Sequence, residues 1–322
     1  PEDADTVTDT PDVLDAPKGA LGAEELRALV DRGAIRGERP LRPEQIQPAS
    51  LDLTISAEAY KLPGSMLPLR GERIRDLLET FQARPLDLSE ATVLDRGLVY
   101  LIRLNESLDL PAAVGCYTNS KSSTGRIDLQ TRTLSDGNPR YEKHPRGYRG
   151  EMWLEVIPKS FDVRLQQGVS LNQAIFYGER RILDDDGLRD LVRAASLVYD
   201  KHGAVMPMDR VEIDQGLMMS IDLEQDLVGY VARRSPYPLT LDPSVRHEAR
   251  DYFEPIERPR DGRLFLMKGH FYILSTLEFL RVPLDFAVEM LPFETTAGEF
   301  RAHYAGFFDP GFGFGENGEV KG

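Results

Sequence analysis

Two stretches of this sequence recur in the same order, about half a chain apart. Ser50 to Leu53 (SLDL) returns as Ser220 to Leu223 (SIDL), an offset of 220 − 50 = 170 residues. The stretch from Arg96 aligns with the stretch from Lys268, an offset of 268 − 96 = 172 residues. The second alignment pairs Gly97 with Gly269, Tyr100 with Tyr272, Glu106 with Glu278 and Pro111 with Pro283. Two nearly equal offsets predict duplication of one domain-sized unit. Two β-domains that converged on similar turns are the lesser alternative.

The chain has 322 residues, which is long enough for two such units. Residues 1–18 are rich in Asp, Thr, Pro and Ala and predict a flexible N-terminal arm. We place the first unit at residues 19–204 and the second at residues 205–322. The sequence ends at Gly322, before any counterpart of Met152 to Val156, so we expect the second unit to be incomplete at its C-terminus.

Apolar runs of four to six residues, separated by Pro, Gly, Asn and Asp, predict a mainly β fold of the sandwich or barrel type. Such runs are Leu51 to Ile55, Leu98 to Leu101, Met152 to Ile157 and Phe271 to Leu274. Apolar residues at helical spacing are confined to a few segments. These segments are Ala23 to Asp31, Arg73 to Gln82 and Gly187 to Val198.

Composition narrows the classes of function. A formal net charge of −14 argues against binding a nucleic acid polymer, because Lys and Arg carry that binding. The single cysteine, Cys116, excludes an intrachain disulfide and a zinc site with two or more thiolates. Because the residues around Cys116 in the sequence are mostly apolar, we expect its side chain to lie in the core. The absence of a long apolar run and of a secretory signal predicts a cytoplasmic protein without a membrane partner.

A cluster of hydroxyls lies between two cations at Lys121 to Arg126 (KSSTGR). Phosphate groups are bound by this combination, because hydroxyls and amides donate hydrogen bonds while Lys and Arg neutralise charge. Taken alone, such a segment is more often a solvated loop.

A strand is predicted at Gly147 to Val156 (GYRGEMWLEV). Side chains alternate in a strand, so Glu155 lies on the same side as Glu151 and Trp153, away from the aliphatic residues between them. Glu155 is therefore either a solvated strand residue or a carboxylate that faces a ligand cleft and transfers protons.

Four motifs, in this order, resemble the deoxycytidine triphosphate deaminases. They are IQPASLDL at Ile46 to Leu53, SSTGR at Ser122 to Arg126, GYRGEMWLE at Gly147 to Glu155 and LNQAIF at Leu171 to Phe176. The resemblance implies the distorted β-barrel that this family shares with the deoxyuridine triphosphatases (dUTPases), here in two tandem copies. It further implies a homotrimer with sites shared between subunits, and Mg²⁺ bound through the triphosphate of dCTP. No zinc is implied.

The same resemblance assigns roles to individual residues. Glu155 matches the catalytic glutamate that activates the attacking water, and Ser122 and Arg126 match the serine and arginine that support the reacting groups. Substrate-binding roles fall to the phosphate-side Lys121, where the family more often has Arg, and to Ser123 and Gln173. The segment between Arg126 and Glu155 is longer than in compact members, and no residues match their C-terminal lid.

The second copy departs further from the family pattern. Glu294 to Gly298 (ETTAG) replaces the SSTGR motif, and its carboxylate would repel a phosphate. Phe308 to Phe312 (FDPGF) keeps the Asp-Pro-Gly-aromatic turn of the family. We expect a second copy that preserves the fold without a working nucleotide site.

The motifs leave three candidate functions. The favoured one is zinc-independent deamination of dCTP to dUTP and ammonia, which supplies dUTP for dTTP synthesis. A dUTP diphosphatase, alone or combined with the deaminase, is opposed by Pro145, which stands where that family has its catalytic aspartate. A noncatalytic deoxynucleotide-binding protein is the third.

Overall fold

The computed structural model describes residues 18–291 and 306–315. The predicted arm, residues 1–18, lies outside this part except for Lys18, which bridges to Glu179. The described helices are α1 (Ala23–Asp31), α2 (Ile74–Thr80), α3 (Ser122–Gly125) and α4 (Asp185–Ala195). The three helices predicted from periodicity are thereby confirmed. The four-residue α3 was expected to be a loop, because one turn is too short to show a helical period.

Strands make up most of the remaining regular structure, which confirms the mainly β prediction. The first copy contains β1 (Ile35–Gly37), β2 (Leu51–Leu62), β3 (Arg84–Asp87), β4 (Thr92–Leu94), β5 (Val99–Asp109), β6 (Gly115–Ser120), β7 (Leu129–Ser135), β8 (Lys143–His144), β9 (Arg149–Pro158), β10 (Val163–Leu165) and β11 (Ser170–Tyr177). The remainder contains β12 (Val198–Tyr199), β13 (Leu227–Ala232), β14 (Leu239–Thr240), β15 (Phe253–Glu257), β16 (Tyr272–Leu274), β17 (Phe279–Leu280), β18 (Val288–Glu289) and β19 (Phe307–Phe308).

The first copy is built on one antiparallel sheet that curls into a distorted barrel. Its strand order is β7-β9-β5-β2-β11-β6-β8, with β1 beside β5 and β3 beside β2. The two sides of the sheet meet where β6 approaches β7. The backbone of Glu142 closes this seam, since its N–H donates to Thr133 O at 3.0 Å and its carbonyl accepts from Thr118 N at 2.8 Å. The Thr118 and Thr133 hydroxyls add a 2.5 Å hydrogen bond across the seam.

The alternation predicted for β9 is confirmed and divides the first copy into two apolar clusters. Met152, Leu154 and Val156 point into the main barrel core. Trp153 points to the opposite face, where Ile74 of α2 and Leu101 of β5 form a second, smaller cluster with it. Cys116 is fully buried in the main core, as predicted, and burial raises the pKa of its thiol.

The repeat seen in the sequence is also a repeat of hydrogen bonds. The Tyr100 hydroxyl accepts the backbone N–H of Asp95 at 2.9 Å. In the second copy, the Tyr272 hydroxyl accepts the N–H of Met267 at 2.8 Å. The turns enclosed by these bonds contain Gly97 and Gly269 at φ of +78° and +77°, a conformation that favours glycine. The aligned Gly and Tyr residues therefore form the same hydrogen-bonded turn in both copies.

The second copy consists of small sheets packed against the first. Strand β14 pairs in parallel with β10 of the first copy, in the register Val163 to Leu239. Helix α4 packs its Val192 against Met206 and Leu280, so an apolar cluster extends to both sides of the boundary that we predict near residue 204. That boundary stays a prediction. Among residues 18–291 and 306–315, no helix is long and apolar enough to span a membrane.

Candidate active site

The predicted phosphate-binding segment is fixed to the barrel through α3. The buried Thr124 hydroxyl donates to Leu171 O at 2.8 Å, which joins α3 to β11. Lys121, just before the helix, forms an ion pair with Asp52 of the SLDL motif. Three of the four motifs that resemble the deaminase family, IQPASLDL, SSTGR and LNQAIF, therefore meet in space.

The predicted site residues on α3 lie on different sides of this turn. Ser123 faces a groove of about 960 Å³, which Lys121 also lines. Ser122 and Arg126 are exposed and do not line this groove. Neither makes a side-chain hydrogen bond or ion pair with the residues that the structure describes, so both are free to act on a ligand.

Gln173 lies in a buried layer of amides inside the barrel. Its Nε2 donates to Asn119 Oδ1 at 2.8 Å. The neighbouring Asn172 is fully buried, and both of its side-chain polar atoms lack a partner among the described residues. A structural hydrogen bond is thus what the structure records for Gln173, and its substrate-binding role stays a prediction.

Glu155 lies on the outer face of β9, in a second cluster of polar side chains. Arg132 lies opposite it on β7, and Arg132 Nη2 donates to Glu155 Oε1 at 2.6 Å. The Tyr141 hydroxyl donates to Met66 O at 2.9 Å and lies 3.4 Å from the other carboxylate oxygen of Glu155. The Arg132 guanidinium lies 3.9 Å from the centre of the Tyr141 ring and so covers it. Glu155 is only 1% exposed, so this carboxylate is buried and is held by the ion pair with Arg132.

Burial and charge perturb the groups around Glu155. Desolvation, with the nearby charge of Glu155, raises the pKa of Tyr141 to about 12. Desolvation also raises the pKa of Glu142 to about 8, although the positive charge of Arg132 opposes the shift. The backbone of Glu142 is at φ +64°, a left-handed conformation that non-glycine residues seldom adopt. Perturbed groups of this kind concentrate at functional sites, although structural ion pairs also produce them.

Within the described part of one chain, Glu155 does not pair with Ser122 or Arg126. Arg132 is three residues beyond Leu129, the first residue of β7, which corresponds to about 10 Å at the usual rise per strand residue. Arg126 precedes Leu129 by three more residues. No hydrogen bond or ion pair connects Glu155 with Ser122 or Arg126 in the described part of the chain.

Sequence reasoning missed Arg132 and Tyr141. Arg132 is recognisable only when the register of β7 on β9 is known, because that register places it opposite Glu155. The alternation of Gln130 and Arg132 with apolar or small residues was the available signal for their outward direction.

The residues present fit a magnesium ion that is carried mainly by substrate phosphates. Mg²⁺ usually takes one or two carboxylates together with water and phosphate oxygens. Asp52 supplies such a carboxylate at the wall of the groove. Across the described ranges, no group of three His, Cys, Asp or Glu side chains is spaced to hold a metal ion.

One residue of the second copy reaches the first copy's motifs. Asp309 Oδ1 accepts the N–H of Ala49 at 3.1 Å, immediately before the SLDL strand. Burial raises the pKa of Asp309, and the charge of Asp52 adds to this effect. The ETTAG segment, Glu294 to Gly298, lies outside the described residues.

Comparison with known proteins gives consistent matches. A solved 2'-deoxycytidine 5'-triphosphate deaminase from Agrobacterium tumefaciens is similar over 95% of this chain and 87% of its own, with 36% identity and a TM-score of 0.86. A dCTP deaminase of Ignicoccus hospitalis is 26% identical over 152 residues, which are 47% of this chain and 78% of that protein. Models of the N-terminal and C-terminal domains of 2'-deoxycytidine 5'-triphosphate deaminase match residues 17–180 and 184–322. These matches confirm the resemblance found in the sequence, and the chain belongs to the 2'-deoxycytidine 5'-triphosphate deaminase family.

Proposed function

We propose that this protein deaminates dCTP to dUTP and ammonia without zinc, with Glu155 as the general base. The observation that carries the proposal is the buried Glu155 carboxylate, bound by Arg132 at 2.6 Å on a strand that matches the family's GYRGEMWLE motif. The zinc deaminases bind their metal through a His or Cys with two further Cys, and the single Cys116 does not supply that set.

In this reaction Glu155 takes part in two proton transfers, first as acceptor and then as donor. A water molecule attacks C4 of the cytosine ring, and Glu155 accepts a proton from that water. Glu155 returns the proton to N3, and a second proton from the added hydroxyl reaches the amino group, which leaves as ammonia. Water and dCTP are consumed and dUTP and ammonia are formed, so atoms and charges balance. Arg132 holds the carboxylate in place between the two transfers, with the Tyr141 hydroxyl 3.4 Å from its other oxygen.

The complete site is formed between copies of the chain. Ser122 and Arg126 are exposed and unpaired among the described residues, while Glu155 of the same chain lies opposite Arg132, about 10 Å along β7 from Leu129, the first residue of that strand. A neighbouring chain in a homotrimer brings its Ser122 and Arg126 to the Glu155 of the first, where they stabilise the developing tetrahedral centre.

Lys121 and Ser123 bind the phosphates in this proposal, and the triphosphate carries Mg²⁺. Asp52, which pairs with Lys121 and lines the same groove, would hold that metal together with the phosphate oxygens. The protein acts in the cytoplasm, where its product supplies dUTP for dTTP synthesis.

A second candidate is a bifunctional enzyme that also hydrolyses dUTP to the monophosphate. One observation favours it, since Asp309 of the second copy lies against the SLDL strand and within electrostatic reach of Asp52. Pro145 has no proton-accepting side chain at the corresponding place of the first copy.

Incubation with dCTP and Mg²⁺ separates the candidates. The deaminase releases ammonia and leaves dUTP, whereas the bifunctional enzyme also releases pyrophosphate, visible by phosphorus NMR. If Asp309→Ala then removes only pyrophosphate release, the second copy is a catalytic partner. Nucleotide binding without either product contradicts both proposals.

A further inference from the structure

The Tyr141 ring connects the ion pair at Glu155 to a segment that is distant in sequence. The Arg132 guanidinium lies 3.9 Å from the centre of the ring, and the same guanidinium pairs with Glu155. At the other end of the side chain, the hydroxyl donates to Met66 O at 2.9 Å. Met66 lies between β2 and α2. One aromatic side chain therefore joins this α2 segment to the pair that holds the buried carboxylate.

Backbone hydrogen bonds fix Tyr141 relative to the strand that carries Arg132. The next residue, Glu142, donates its N–H to Thr133 O at 3.0 Å and accepts Thr118 N at 2.8 Å. Thr133 directly follows Arg132 on β7. The ring and the guanidinium are thus carried by two backbone segments that are hydrogen-bonded to each other next to both residues.

The loop between β7 and β8, which carries Tyr141, is bound to the α2 segment at two further places. Asp136 Oδ1 accepts the N–H of Ile74 at 2.8 Å, at the start of α2. Gly137 N donates to Glu72 O at 2.8 Å. Together with the Tyr141 hydroxyl, these contacts make the loop and the α2 segment support each other.

The α2 segment is itself fixed to the face of β9 that carries Glu155. Arg75 Nε donates to Glu151 Oε2 at 2.7 Å, and its guanidinium lies 5.2 Å from the centre of the Trp153 ring. Trp153 is fully buried, in the same apolar cluster as Tyr141. Glu151 and Trp153 precede Glu155 on one side of the strand. The support of the Tyr141 ring is therefore anchored to the strand of the base.

The ring limits the movement of Arg132. The guanidinium is one-third exposed, and an arginine has many rotamers, so an ion pair alone leaves it free to move away from its carboxylate. An aromatic face beneath the guanidinium attracts it and restricts its positions. Desolvation and the charge of Glu155 raise the pKa of Tyr141 to about 12, so the hydroxyl stays a donor to Met66 at neutral pH.

We propose that Tyr141 is a positioning residue for the deamination, which holds the Arg132 guanidinium against Glu155 and is itself supported by the α2 segment. The inference rests on the proposed function, in which Glu155 is the general base. It extends that function by giving a role to the long segment between Arg126 and Glu155, which carries Tyr141.

Replacement of the ring tests this role. Tyr141→Met removes the aromatic face but keeps an apolar side chain in the cluster. We expect kcat for dCTP to fall about tenfold or more while KM changes by less than about threefold, because a small displacement of a catalytic group has an effect of this size. Tyr141→Phe keeps the face and should restore kcat to within about threefold.

Tyr60→Met is the matched control. Tyr60 packs in the same apolar cluster, 6.2 Å from the Trp153 ring centre, but its hydroxyl donates to Glu58. This variant should lose stability without losing kcat. Normal kcat in Tyr141→Met, or an equal loss of kcat in Tyr60→Met, overturns the proposal. Thermal unfolding shows which variants are folded at the assay temperature, and Tyr141→Leu is the second ring-free variant.

A double-mutant cycle shows whether Tyr141 acts through Arg132. In Arg132→Ala no guanidinium remains to be held, so adding Tyr141→Met should lower kcat by less than about threefold further. Losses that multiply contradict an action through Arg132. Glu155→Gln separates this role from the proposed function. Normal turnover in Glu155→Gln contradicts the proposed general base, whereas loss of turnover there with full activity in Tyr141→Met contradicts only the role of Tyr141.

Discussion

Arg132 Nη2 lies 2.6 Å from Glu155 Oε1, across the register that pairs β7 with β9. The guanidinium is one-third exposed while the carboxylate is 1% exposed, so Arg132 separates Glu155 from solvent. Any ligand that reaches Glu155 must therefore pass or displace Arg132 and the Tyr141 ring beneath it.

Replacement of Arg132 tests this arrangement. Arg132→Ala leaves a buried carboxylate without its charge partner, and we expect a loss of stability of about 1–3 kcal/mol, less than for a fully buried pair. Turnover should fall by about 10²-fold or more if Arg132 positions the base. Thermal unfolding and steady-state kinetics measure both, and Arg132→Lys should restore stability better than turnover. Full activity in Arg132→Ala contradicts a positioning role.

Glu155→Gln tests the base itself. Glutamine keeps the size and the hydrogen bonds to Arg132 but accepts no proton, so kcat should fall by about 10²- to 10⁴-fold or more. The affinity for dCTP should change little. Glu151→Gln, on the same face of the strand, is the matched control. Near-normal turnover in Glu155→Gln would identify Glu155 as a structural strand residue.

Mixing of inactive variants tests whether sites are shared. Glu155→Gln supplies an intact Arg126, and Arg126→Ala supplies an intact Glu155. If each site takes these residues from two different chains of a trimer, random mixing after mild unfolding and refolding restores activity to about a quarter of the sites. Light scattering checks the oligomeric state. Activity that never exceeds the sum of the two variants would place each site within a single chain.

The raised pKa of Glu142 predicts a pH dependence of stability. The folded protein keeps the proton on Glu142 up to about pH 8, whereas the unfolded chain releases it near pH 4.5, the usual pKa of a glutamate. The contribution of Glu142 to the free energy of unfolding is therefore fully present below pH 4.5. It is lost as the pH rises from 4.5 through 8. Arg132 and Glu289 are the charged groups that act on it.

Glu142→Gln removes this titration. We expect the variant to match the unaltered protein at about pH 4 and to be more stable at about pH 9 by about 2–4 kcal/mol, because one pKa unit corresponds to about 1.4 kcal/mol and partial exposure of the side chain reduces the effect. Melting temperatures across that range measure the difference, and the exposed Glu90→Gln serves as control. A difference that does not grow with pH would show that Glu142 is ionised in the folded protein.

Metal removal distinguishes the proposed chemistry from that of the zinc deaminases. Deamination should persist in a zinc-selective chelator and fall when Mg²⁺ is withheld, because the triphosphate carries the metal. Stoichiometric zinc in active protein, lost together with activity, would contradict the proposal.

Local patterns predicted the local structure well. Apolar spacing located α1 at Ala23–Asp31, and alternation along β9 located Glu155 on the face opposite Met152 and Val156. The aligned residues Tyr100 and Tyr272 marked two turns with the same hydrogen bond. Each of these features depends on side chains within a few residues of one another.

Long-range features were not predictable in this way. The Arg132–Glu155 pair depends on the register of two strands, and its members are 23 residues apart in sequence. The groove depends on Arg164 meeting a segment that begins at Leu239, and no local period signals that meeting. The side chains of Ser122 and Ser123 face different directions, because neighbours in sequence lie on different sides of the α3 turn.

The parallel pair of β10 with β14 has a consequence for synthesis on the ribosome. Strand β10 pairs on one side with β4, which precedes it, and on the other with β14, which emerges much later in the chain. Until Leu239 and Thr240 are made, the nascent first copy exposes the N–H and C=O groups of this edge to other unfinished chains. The outward charge of Arg164 in the middle of β10 opposes such edge-to-edge association, so a residue at the groove also protects the growing chain from aggregation.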